Sequence, residues 1–171
     1  MTALGGMTPG DVLLLHGCCH NPTGADLAPD QWQDVAELCL RQGVVPLVDL
    51  AYQGLGRGLA EDALGLHLLL RALPEVLVAY SCDKNFGVYR DRVGALWVQS
   101  ARRADVEAVR SNLTALARSI WSMPPDHGAA TVRIVLEDEA LRTLWQEELA
   151  AMRERTASIR HELAKAHPLL A

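Results

Sequence analysis

The chain has 171 residues, half of them hydrophobic and 22% charged, with a net charge of −5. That is the size and balance of one globular domain able to bury a core of its own. The acidic balance and the lack of a basic run argue against a nucleic-acid partner, and no apolar stretch is long enough to span a membrane. The opening residues, Met1 to Gly6, are short and uncharged and do not read as a signal peptide, so a cytoplasmic location is expected. Cys18, Cys19, Cys39 and Cys82 form no C-x-x-C pair and read as buried free thiols.

The run Val12-Leu13-Leu14-Leu15-His16 predicts a first strand, apolar throughout and therefore buried on both faces. A loop, His20-Asn21-Pro22-Thr23-Gly24, leads to a helix opened by Pro29 and stopped by Gly43. Its apolar stripe is Trp32, Val35, Ala36, Cys39 and Leu40. Val44 to Val48 reads as the second strand, ending in Asp49, and a Gly-rich loop, Gly54-Leu55-Gly56-Arg57-Gly58, follows. A helix from about Glu61 to Leu73 leads to the third strand at Val76. Strand–helix–strand–helix–strand predicts a parallel sheet with right-handed crossovers. Gly94 to Val98 is a fourth strand, reached by a connection too short for a parallel crossover, and is expected to run antiparallel to the third or to sit beside another strand. Three helical stretches complete the chain: one carrying Val106, Val109, Leu113, Leu116 and Ile120, one through Val132 and Val135, and a long one from about Glu139 to Ala166. Leu141, Trp145, Leu149, Met152, Ile159 and Leu163 line the apolar side of the last. The tryptophans and methionines fall on apolar stripes and are expected in the core.

Each parallel strand delivers polar residues just past its C-terminal end: Asn21 after the first, Asp49 and Tyr52 after the second, Ser81 and Lys84 after the third. Parallel strands share one C-terminal edge, so all five are placed to converge on one crevice. The chain has 14 arginines and two lysines, Lys84 and Lys165. A lysine can lose its proton and act as a nucleophile, which arginine cannot. A carboxylate, a phenol, an amide and a lysine in one pocket suit proton transfer and imine chemistry. Arg92, eight residues on, can return to the same edge and clamp a phosphate or carboxylate.

His20-Asn21-Pro22-Thr23-Gly24, Asp49-Leu50-Ala51-Tyr52-Gln53-Gly54, Ser81-x-x-Lys84-Asn85 and Gly87-x-Tyr89-x-x-Arg92-x-Gly94 resemble the large domain of class I (fold-type I) aminotransferases, aspartate and aromatic amino acid branch. Gly17-Cys18-Cys19-His20 and Ser122-x-Pro124-Pro125-x-x-Gly128-Ala129 are similar to the aromatic members. The resemblance implies an α/β fold, a mostly parallel sheet layered with helices, ending in a long interdomain helix. Residues 1–138 would be a partial cofactor-binding domain and residues 139–171 the interdomain helix and the start of a small domain. It implies pyridoxal 5′-phosphate as cofactor, amino acid and 2-oxo acid substrates, and a homodimer for the full-length family member. Transamination of aspartate or aromatic amino acids with 2-oxoglutarate would pass through a Schiff base on Lys84, which also shuttles the α-proton. Asp49 would pair with the pyridine nitrogen. Tyr52 and Asn21 would bond the ring's phenolic oxygen, and Ser81 and Arg92 would hold the phosphate. Asn21 would also face the substrate, and Arg118 would bind a substrate carboxylate in the neighbouring subunit.

Two residues depart from the pattern. Asp83 stands where the family usually has a small hydroxyl residue, and a carboxylate beside a phosphate site is repulsive unless paired or turned away. Met123 replaces a common asparagine. Members of the family are more than twice as long, so the chain reads as a central fragment with a partial cofactor site and little or no transamination. The alternative is a non-catalytic fragment that binds the cofactor weakly or only self-associates. Other motifs carry less. Ser81-x-x-Lys84 lacks the S-D-N and K-T-G partners of the β-lactamase set. Gly54-x-Gly56-x-Gly58 has Leu59 where a dinucleotide fingerprint needs its third glycine. A metal site or thiol module built from His16, Cys18, Cys19 and His20 would crowd its ligands onto one strand end, where alternate side chains diverge.

Overall fold

The computed structural model describes residues 2–166, so the last positions of the 139–171 segment lie outside the described residues. After a short 3-10 turn over Thr2–Gly6, the elements are β1 (Val12–His16), α1 (Pro29–Gln42), β2 (Val45–Leu50), α2 (Leu64–Ala72), β3 (Val76–Ser81), β4 (Gly94–Gln99), α3 (Arg103–Trp121), α4 (His127–Glu137) and α5 (Glu139–Ala166). The sheet has the order β1-β2-β3-β4. β1, β2 and β3 are parallel and β4 is antiparallel to β3, as the short connection before it requires.

Local chemistry sets the first crossover. Pro29 opens α1 with its φ already helical, and the Ala28 N–H donates to Gln31 Oε1 at 2.9 Å. Gly43 ends the helix at φ 67°, a left-handed conformation that costs glycine nothing, and the chain turns at once into β2. α1 and α2 then lie on one face of the sheet. Trp32, Val35 and Cys39 meet Leu66 and Leu69 over Val48, Val76 and Val78. The two helices come close because Gly65 carries no side chain and sits against the Trp32 indole.

Several expectations are corrected. β1 is not buried on both faces: Val12 is 53% and Leu14 61% exposed. α1 and α2 cover the face that carries Leu13, and the alternation of the strand leaves its neighbours uncovered. In α1, Leu38 is buried and Leu40 exposed, because the helix turns its apolar stripe toward α2. α2 starts at Leu64 rather than near Glu61, since Asp62 is used to close the preceding loop. Of the tryptophans and methionines expected in the core, Trp32 is buried, whereas Trp97, Trp121, Met123 and Met152 are exposed. α3 buries none of its stripe, and α5 buries Leu149. Among the described residues no helix is long and apolar enough to cross a membrane.

The α1–α2 contact yields a direct test. Gly65→Ala would drive a methyl group into the Trp32 ring, and overpacking of this kind costs about 1–3 kcal/mol. Urea unfolding followed by tryptophan fluorescence should show a lower midpoint at unchanged slope; an unchanged midpoint would mean that the helices are not closely packed there.

Candidate functional site

At the C-terminal edge, His16 at the end of β1 and Asp49 in β2 are register partners. Val48 and Leu50 are buried, so alternation places Asp49 on the opposite face, half-buried beside Ala79 of β3. His16 Nδ1 accepts a hydrogen bond from the Asn21 N–H at 3.1 Å, which leaves Nε2 to carry the proton of the neutral ring. Along the sequence His16 stands out only beside Cys18, Cys19 and His20. Counting parallel strand ends against each other would have placed it next to Asp49. Asn21 is exposed and is joined to this pair through its backbone.

Lys84 Nζ lies 5.1 Å from the centroid of the Tyr52 ring, so the loops after β2 and β3 meet. The turn that carries the lysine is held from both sides. Asn85 is fully buried; its Nδ2 donates to the Gln53 carbonyl at 3.2 Å and to the Tyr80 hydroxyl at 2.9 Å. Its carbonyl accepts Trp145 Nε1–H at 2.7 Å, and Phe86 stacks on Trp145 at 4.5 Å. Burial pushes the Tyr80 phenol above its ordinary range, and the Asn85 bond pulls the other way. Asn85 anchors the lysine turn to β3, to the loop after β2 and to α5, a role the motif alone did not reveal.

Ser81 Oγ accepts the Asp83 N–H at 3.2 Å. Arg92 is in a left-handed conformation at φ 54°. Its guanidinium donates to the Asp83 carboxylate and, at 3.0 Å, to the Tyr89 carbonyl. The other Asp83 oxygen accepts the Val93 N–H at 3.2 Å. The carboxylate that stood out in sequence is therefore paired. Arg118 sits exposed on the last turn of α3, and its side chain has no hydrogen-bond or ion-pair partner among the described residues. The structure brings Tyr52 to Lys84, Ser81 to Arg92 through Asp83, and Asn21 to His16 beside Asp49; no described contact joins Arg118 to them.

The Gly-rich loop is closed by the chain itself. Asp62 is buried and accepts the N–H groups of Gly54, Gly56 and Arg57 at 2.8, 3.0 and 2.8 Å. Those amides are spent on a carboxylate of the chain, which leaves no phosphate cradle there. α5 is tied to the same loop by Leu149, packed on Gly54, and by Arg153, which donates to the Gly54 carbonyl at 3.0 Å. The neighbouring Cys19 thiol first, and burial second, push the Cys18 thiol up, while the Cys18 thiol pulls Cys19 below the ordinary thiol range. Among the described residues no three His, Cys, Asp or Glu side chains group as a metal site. A cavity of about 700 Å³ opens on the helix-covered side, between Tyr80, Trp97, Val132 and Trp145, and none of the strand-end candidates lines it.

The model of the family "Aminotransferase class I and II" matches residues 1–167. The chain is 53% identical over 165 residues to the tyrosine aminotransferase of Rhizobium meliloti (strain 1021), covering 96% of this chain and 42% of that protein. It is 47% identical over 151 residues to the aspartate aminotransferase of Escherichia coli (strain K12), covering 88% of this chain and 38% of that one. The fold matches the crystal structure of the aromatic-amino-acid aminotransferase from Burkholderia pseudomallei covalently bound to pyridoxal phosphate, with a TM-score of 0.91 and 40% identity over 96% of this chain and 41% of that one. The chain thus spans about two fifths of the length of these proteins.

Two measurements test the loop and the thiol pair. Asp62→Ala strips three amides of a charged acceptor and should cost about 3 kcal/mol or more, with faster hydrogen exchange at Gly54, Gly56 and Arg57. Because the Cys19 pKa is lowered and those of Cys39 and Cys82 are raised by burial, Cys19 holds the larger thiolate fraction at pH 7. Iodoacetamide should label Cys19 ahead of Cys39 and Cys82; equal rates would contradict the lowered Cys19 pKa.

Proposed function

The chain belongs to the aminotransferase class I and II family, and from that premise we propose that its strand-end residues form part of the site of a pyridoxal-phosphate-dependent transamination. The amino donors are aspartate or aromatic amino acids, in keeping with the names of the relatives, and the acceptor is 2-oxoglutarate. The observation that carries this reading is the Lys84 amine lying over Tyr52, in loops that follow the C-terminal ends of β2, where Asp49 lies, and of β3.

The residues fit the cofactor at its ring and aldehyde end. An amine, a phenol and a carboxylate are supplied there by separate elements, and the Asn85 anchor limits how far the lysine turn can move. At the phosphate end Ser81 and Arg92 are present, with Arg92 already engaged by Asp83. Bound there, pyridoxal phosphate supplies a conjugated ring that draws electrons from the substrate's α-carbon. Lys84 Nζ would hold the aldehyde carbon and then move the α-proton. Asp49 would accept a hydrogen bond at the ring nitrogen and keep it protonated, with His16 beside it on the adjacent strand. Tyr52 and Asn21 would donate to the ring oxygen, Asn21 also facing the substrate. Arg118, exposed on α3, would serve a carboxylate in a second subunit of a homodimer, and α5 would lead from residues 1–138 toward a small domain. Free thiols throughout fit a reducing cytoplasm.

A second reading, a chain that binds the cofactor weakly without turnover or only self-associates, is favoured by the exposed apolar sheet face at Val12, Leu14 and Leu96. Titration with pyridoxal phosphate separates the readings. A visible absorbance band should form with the native chain and vanish in Lys84→Ala; a band that survives the substitution sinks the assignment of Lys84. Turnover of aspartate with 2-oxoglutarate, measured next, distinguishes an enzyme from a binding-only chain.

A further inference from the structure

Asp83 and Arg92 form an unequal pair. The Asp83 side chain is 3% exposed and that of Arg92 75% exposed. A buried carboxylate must be compensated, and Asp83 has two partners for it, the Arg92 guanidinium and the Val93 N–H. Asp83 is also fastened through its own N–H to Ser81 Oγ, the hydroxyl nearest the proposed phosphate position. The bond to the Tyr89 carbonyl, 3.0 Å long, helps hold the Arg92 guanidinium beside Asp83. A phosphate dianion arriving at Ser81 therefore meets an arginine already neutralised, with the neutralising carboxylate next to it. Attraction to the one charge is offset by repulsion from the other over nearly the same distance.

We propose that Asp83 is a built-in counter-anion for Arg92 that removes most of the preference for a phosphorylated aldehyde which this arginine would otherwise confer on the site. Asp83 is then the residue that sets phosphate selectivity. The inference rests on the reading of Lys84 as the amine that condenses with an aldehyde, a step that forms one C=N bond and releases one water.

The test compares pyridoxal phosphate with 5′-deoxypyridoxal, which lacks the phosphate ester and cannot close into a hemiacetal. Both give a Lys84-dependent absorbance band, and the ratio of their dissociation constants isolates the phosphate contribution. In the native chain that ratio should stay within about threefold of unity. In Asp83→Ser and in Asp83→Asn it should rise by about 10- to 100-fold in favour of the phosphate, the worth of a released charge-assisted bond. Asp83→Asn keeps the size of the side chain and an acceptor for the Val93 N–H, so it reports on charge in a folded chain. Adding Arg92→Ala to Asp83→Asn should return the ratio to the native value, and raised salt should shrink the gain. A ratio that is unchanged or lower in both Asp83 variants, while the bands still form, overturns the inference and leaves the Lys84 assignment standing. No Lys84-dependent band with either aldehyde overturns both.

Discussion

The turn after β3 is the constraint on which the candidate site depends. A lysine has four rotatable bonds and loses its usefulness if the backbone beneath it wanders. Here Cys82, Asp83 and Asn85 are all buried, while Lys84 between them is only partly so. Burial of its neighbours forces the lysine to be the one side chain of the four that projects, and it projects over Tyr52. Asn85 makes the arrangement rigid because it bonds three different elements at once. The parallel pairing of β1, β2 and β3 then brings Asp49 and His16 to the same edge without any further device.

The sheet that supports this edge is covered unevenly. On one face α1 and α2 bury Val48 and Val76 completely. On the other, Val12, Leu14 and Leu96 stay open to solvent, and α3 lies nearby without burying any of its own residues. An apolar face of this kind gains about 25 cal/mol for each Å² that another surface removes from water, so it is a driving force for association waiting for a partner surface. Asp49 and His16 lie on that face as register partners, so whatever covers it would also remove them from water.

Much of this was legible in the sequence, for identifiable reasons. The antiparallel β4 followed from a connection too short for a crossover, and the convergence of Tyr52 and Lys84 followed from the sharing of C-terminal ends by parallel strands. Burial was read less well. A continuous apolar run such as Val12 to Leu15 states that both faces need cover, but it does not say that a covering element is present among the described residues. The stripes on α3 and α5 misled in the same way: period 3.6 shows which side of a helix is apolar and leaves open what, if anything, it packs against. His16 was passed over because its chemistry was judged beside Cys18 and Cys19 along the chain, whereas register sets it beside Asp49 across the sheet. The partner of Asp83 depended on the left-handed backbone of Arg92, for which a non-glycine residue gives no warning in a sequence.

The chain twice fills an anion site with a carboxylate of its own, and the two cases differ in what they permit. Asp62 is enclosed by three backbone amides in a loop that glycines hold open, and α5 seals that loop through Leu149 and Arg153. Nothing from solvent can compete there without unfolding the loop, so the contact is structural. Asp83 is buried just as deeply, but its counter-ion is a side chain three quarters exposed. An incoming anion can reach Arg92 from the solvent side while Asp83 holds it from within. The buried carboxylate fixes where the guanidinium stands and offsets its charge, while the exposed guanidinium stays within reach of solvent. On the proposed reading a carboxylate in that position would act on ligand choice, whereas Asp62 acts only on the fold.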